Sequence, residues 1–74
     1  MLLSEMKEGD RCRILRVGGK GPFRRRVLEM GLLSGTEVFI EKYAPLKDPV
    51  ELIVKGYHVS LRVAEAAVVD VEKI

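Results

Sequence analysis

Glycine or proline breaks this chain about every ten residues, a punctuation that allows short strands joined by turns and little else. Such strands must close on one another to hide their apolar faces. The 74 residues are expected to form a single domain, 1–74, with a core that yields only about 3–5 kcal/mol of net stability. Covalent or metal staples are out of reach. Cys12 has no second cysteine to bridge with, and one cysteine plus one histidine (His58) fall short of the ligands a zinc site needs. A compact barrel, or self-association into an oligomer, is what remains.

Along the chain, Leu3–Gly9 reads as one turn, capped by Ser4 and ended by Gly9. Arg11–Val17 alternates as a strand, with Cys12 and Ile14 on one face and Arg11 and Arg13 on the other. Gly18-Gly19-Lys20-Gly21 breaks it. Pro22–Met30 is the one good helix candidate, because Pro22 suits a first helical position and Gly31 suits C′. Its inward stripe is expected to be Phe23, Val27 and Met30, with Arg25 and Glu29 opposite, Arg26 flanking and Leu28 off the stripe.

Ser34-Gly35 turns into a second strand, Thr36–Tyr43, with Val38 and Ile40 inward. Ala44–Pro49 cannot extend a ladder, since its two prolines lack N–H donors. Val50–Lys55 places Val50, Leu52 and Val54 on one side, and Gly56 turns it into Tyr57–Arg62 as a hairpin. Ala64–Ala67 makes a helical turn before a last strand, Val68–Val71. The sum is mainly β: a small, partly open β-barrel with one inserted short α-helix.

A formal net charge of +2 is too small for its sign to identify a partner. The first residues lack the basic region and apolar stretch of a signal peptide, and no apolar run approaches the ~20 residues of a membrane span. The lone cysteine fits a reducing compartment. These features together predict a cytoplasmic protein with no direct membrane insertion, whose membrane association is borrowed from a partner.

Several features carry two readings. Arg24 and Arg25 are either a solvated helix face or a patch for a partner's carboxylates or for nucleic acid. Gly18–Gly21 precedes a helix but lacks the spacing of a P-loop, so a plain loop is favoured over an anion cradle. The loop carrying Pro45, Leu46 and Pro49 is a stiff turn or a preformed recognition loop. His58 reads as a surface strand residue and Cys12 as a small buried hydrophobe. If Val38, Ile40, Leu52 and Val54 are core, then Phe39 and Ile53 point outward on neighbouring strands and offer a partner or self-association surface. No nucleophile is paired with a base, so no enzyme is expected.

Arg25-Arg26-Val27-Leu28-Glu29-Met30-Gly31-Leu32, then Ser34-Gly35-Thr36, Ala44–Pro49, Gly56-Tyr57, Val59–Arg62 and Glu65-Ala66 together resemble the FeoA family over nearly the whole chain, about Leu3 to Val71. The resemblance implies an SH3-like β-barrel with an inserted helix and no catalytic activity or cofactor. It also implies a cytosolic accessory of bacterial ferrous iron uptake, whose partner is a FeoB-type membrane iron transporter with a GTPase domain. Arg26 matches the family's most persistent arginine and is expected to pair with Glu29 or Glu65. Val27 and Met30 stand where the family more often has leucine, and Lys47 where glycine is common.

A related domain ends the iron- and manganese-responsive repressors; the absence of a DNA-binding segment ahead of this chain favours the stand-alone transport component. Two rivals remain. One is a small basic barrel that binds nucleic acid through Arg11, Arg13, Lys20 and Arg24–Arg26, and the other is a direct Fe²⁺ carrier, for which nothing in the carboxylate spacing speaks.

Overall fold

The computed structural model describes all residues, Met1–Ile74. Five strands, β1 (Arg11–Val17), β2 (Glu37–Tyr43), β3 (Val50–Val54), β4 (Tyr57–Leu61) and β5 (Val69–Lys73), form one sheet in the order β4-β3-β2-β1-β5. Every pairing is antiparallel. Two helices interrupt the strands, α1 (Gly21–Glu29) after β1 and α2 (Val63–Ala66) before β5, and a 3₁₀ turn covers Leu3–Glu5. The mainly β architecture is the one the punctuation implies.

Period-2 alternation builds the core. Cys12 and Ile14, Val38 and Ile40, and Val50, Leu52 and Val54 are all buried, from three adjacent strands. Register shifts between Ile14 and Arg16 and between Ile40 and Lys42 bend β1 and β2, as inserted residues do. The bent sheet wraps one cluster of sixteen buried apolar side chains. At one edge, Met1 and Val71 exchange backbone hydrogen bonds and Leu2 bridges to Asp70, so the free side of β5 is partly covered. β5 runs on past Val71 because Glu72 and Lys73 stay paired with Arg13 and Cys12 of β1, and the Ile74 N–H donates to the Arg11 carbonyl at 2.9 Å.

Lys55 and Gly56, at φ 52° and 83°, make the two-residue turn between β3 and β4. Both central residues are left-handed, the geometry whose twist matches a hairpin. At Gly18 the constraint is space: its N–H donates to the Val68 carbonyl at 2.6 Å, and a Cβ there would lie 3.0 Å from that oxygen.

Helix α1 differs from its sequence reading in which side is buried. Val27 is fully buried and Leu28 and Met30 pack on the core, whereas Phe23 is 39% exposed. Only the second half of the helix buries side chains in the core, so the turn bearing Phe23 stays exposed. The N-terminal turn is also capped differently. The Glu5 carboxylate, not Ser4, accepts the Leu2 N–H, at 2.6 Å.

What holds α1 in place is polar. Glu65 is the one charged residue that is buried, 3% exposed. Its Oε2 accepts from Arg26 Nε at 2.6 Å and its Oε1 from the Arg62 N–H at 3.0 Å. Of the two partners the sequence offered Arg26, the fold selects Glu65. Replacing Arg26 with Met should leave that carboxylate short of a donor. The expected loss is about 1–3 kcal/mol by urea denaturation, the low end because Arg26 itself is largely exposed. Adding Glu65→Gln should recover part of it, since the amide oxygen still caps Arg62; an Arg26→Met variant as stable as the parent would contradict this.

Candidate docking surface

On the outer face of the sheet the same alternation that buries Val38, Ile40, Leu52 and Val54 turns Phe39 and Ile53 outward. The two are directly opposed across β2 and β3, and both are half-buried. Their row continues to Arg11 on β1 and His58 on β4, giving Arg11, Phe39, Ile53, His58 across four strands. Polar pairs frame the row: Arg13 Nη2 lies 4.0 Å from Glu37, His58 Nδ1 lies 3.5 Å from Glu41, and the Ser60 hydroxyl donates to Glu51 at 3.2 Å. An apolar pair ringed by committed polar groups has the layout of an interface core with its rim.

The β2–β3 loop is the second element. Ala44 N–H donates to the Pro49 carbonyl at 3.0 Å, and Lys47 N–H to the Ala44 carbonyl at 2.7 Å. Lys47 takes φ 68°, a left-handed conformation that glycine adopts without steric cost, and the Asp48–Pro49 bond is cis. Asp48 Oδ1 accepts the Val63 N–H at 3.0 Å, pinning the loop to α2. On this fixed backbone Leu46 is 91% exposed, the most exposed large apolar side chain in the chain. Beside it runs a groove of about 720 Å³ lined by Met6, Lys7, Tyr43, Ala44, Pro45 and Val63, among others. The Tyr43 hydroxyl, donating to the Met6 carbonyl at 2.6 Å, forms its wall.

The third element is α1. Arg24 Nε donates to the Val17 carbonyl at 3.3 Å, Arg25 has no ion-pair partner, and the i,i+4 pair with Glu29 does not form. Arg24 and Arg25 share a shallow depression with Gly21, Leu28 and Glu29. Pro49 borders a separate cleft with Arg26, Ser60 and Arg62. The seven candidate residues therefore fall into three places: the sheet face (Phe39, Ile53), the loop (Pro45, Leu46, Pro49) and the helix (Arg24, Arg25). Sequence reasoning passed over Tyr43 and Asp48, whose polar contacts join segments far apart in the chain.

No three His, Cys, Asp or Glu side chains come together as a metal cage. Cys12 is fully buried, and burial, helped by nearby Asp10, pushes its thiol up to about 11. Tyr43 is raised too, by burial first and Asp10 second. No helix is long and apolar enough to cross a membrane.

The FeoA domain profile matches residues 1–73. The chain belongs to the FeoA family. It is similar, at 47% identity over its full length, to an Fe(2+) transport protein A/Fe(2+) transporter FeoB fusion protein of Porphyromonas gingivalis, and spans about 9% of that protein. Among solved structures, a FeoA-like protein of Clostridium acetobutylicum superposes with a TM-score of 0.93 at 34% identity, covering 100% of this chain and 86% of that one. Stenotrophomonas maltophilia FeoA, complexed with zinc and described as a procaryotic SH3 domain protein, gives a TM-score of 0.84 at 28% identity, with 97% and 89% covered. The barrel described above is thus the SH3-like FeoA fold, and the FeoA family is a non-enzymatic accessory of ferrous iron transport.

The alkaline limit of this fold follows from Cys12 and Tyr43. Both are acids raised in the folded state, so their protonated forms contribute stability that is complete below their ordinary ranges and is lost as pH rises toward the folded values. Stability should fall between about pH 9 and pH 11, by on the order of 2 kcal/mol from Cys12. Urea titrations across that range should show a shallower fall for Cys12→Ala; an identical fall would exclude the thiol as its source.

Proposed function

We propose that this chain docks, from the cytoplasm, on the cytosolic GTP-binding part of a FeoB-type membrane transporter and supports ferrous iron uptake as an accessory with no reaction of its own. The observation that carries this reading is the fusion: a relative 47% identical across the whole chain is described as transport protein A joined to the FeoB transporter in one polypeptide. A tether raises the effective concentration of two domains to the millimolar range. Raised effective concentration is useful when the two domains also hold one another through a contact surface.

The Phe39–Ile53 pair supplies the apolar centre of such a surface, and the braced loop adds Leu46, held by Pro45 and Pro49, as a second anchor. Fixing a contact loop before binding lowers the ordering cost of association. Arg24 and Arg25, on the helix, are a separate surface.

The test is a calorimetric or anisotropy titration of the chain with the isolated GTP-binding part of its own organism's transporter. Phe39→Glu or Ile53→Glu should weaken binding at least tenfold, roughly the loss of one central apolar anchor. Losing their cross-strand pair should lower stability by no more than about 1 kcal/mol, so that each variant is still folded at the titration temperature. Absence of binding by the parent, or variants that bind equally well, would remove the reading.

A further inference from the structure

From Arg11 to Leu28 the sequence carries Arg11, Arg13, Arg16, Lys20, Arg24, Arg25 and Arg26, and not one Asp or Glu. The fold brings carboxylates from elsewhere to three of them: Glu37 and Glu72 to Arg13, Asp70 to Arg16, Glu65 to Arg26. Arg11, Lys20, Arg24 and Arg25 receive none. Arg11 lies on β1 beside Phe39, and the other three stand at the start of α1, where every residue from Gly19 to Arg26 is exposed. Phe23 sits among them in sequence, its side chain partly open to solvent. Arg24 is anchored at Nε by the Val17 carbonyl, while its remaining N–H groups have no protein partner. Glu29, at the far end of the helix, is the one carboxylate bordering this surface.

We infer that the first turns of α1 are a contact surface for an anionic lipid bilayer. An exposed helical turn with cations around an accessible aromatic ring fits a flat, negatively charged interface: the cations meet headgroups and the ring enters the boundary below them. An acidic peptide would be better served by a groove, and this surface offers only a shallow depression. Nucleic acid would be better served by a longer cationic stripe, and of the arginines that could extend one, Arg13 and Arg16 are paired with carboxylates and Arg11 lies on the Phe39–Ile53 row. The surface lies on α1, away from the Phe39–Ile53 face, so lipid contact needs no transporter and leaves that face open.

Sedimentation of the intact chain with pure lipid vesicles tests this without the transporter. Partition is expected onto phosphatidylcholine vesicles carrying about 30% phosphatidylglycerol at roughly 25 mM salt, and release at roughly 300 mM. Arg24→Gln with Arg25→Gln should weaken it about 30-fold, near fivefold per charge. Phe23→Ser should weaken it several-fold while keeping the salt dependence. All three positions are exposed, and thermal unfolding of each variant verifies that the fold is kept. Equal binding to phosphatidylcholine alone, no binding at low salt, or unchanged binding by the double glutamine variant would overturn the assignment. So would tighter capture by short duplex DNA or polyglutamate at matched charge, which would give the patch to a different polyanion.

Discussion

Much of this fold hangs on one buried carboxylate. Glu65 holds the Arg26 guanidinium with one oxygen and the Arg62 N–H with the other, which ties the C-terminal half of α1 to the start of α2. One residue further on, the Val63 N–H takes Asp48, and the β2–β3 loop joins the same node. A nine-residue helix with a single fully buried side chain, Val27, has little apolar area with which to hold itself down. The ion pair supplies orientation where packing cannot. Removing a carboxylate from water is unfavourable unless its oxygens are satisfied, and here both are.

What could be read from the sequence and what could not divide along one physical line. Strand alternation is local and strict, so the inward sets on β1, β2 and β3 were legible, and with them the outward placement of Phe39 and Ile53. Helix α1 was less so. With few apolar positions in so short a span, periodicity alone could not say that Leu28 turns in and Phe23 out, because that depends on which part of the helix packs on the core. Long-range polar contacts left no local mark at all. Nothing near Tyr43 announces that its hydroxyl reaches Met6, 37 positions away, or that Asp48 will cap α2. The Gly18–Gly21 loop lacks P-loop spacing in the sequence, and only the fold shows Gly18 donating to Val68.

The three groups of candidate residues make physical sense as separate surfaces on a very small body. The sheet presents an apolar pair framed by polar contacts, a composition suited to a protein partner. The loop presents one leucine on a backbone braced at both ends. The helix tip presents uncompensated cations around one aromatic ring. A domain of this size has most of its residues at the surface. It can offer different faces to different neighbours, which is how an accessory domain beside a membrane protein would act.

Docking through the sheet face is tested most directly by amide NMR perturbation mapping of the labelled chain against the transporter's GTP-binding part. Shifts or broadening are expected to centre on Phe39 and Ile53, to extend along β2 and β3 and to leave the start of α1 unchanged. Perturbations confined to Lys20–Arg26, with β2 and β3 unaffected, would contradict it.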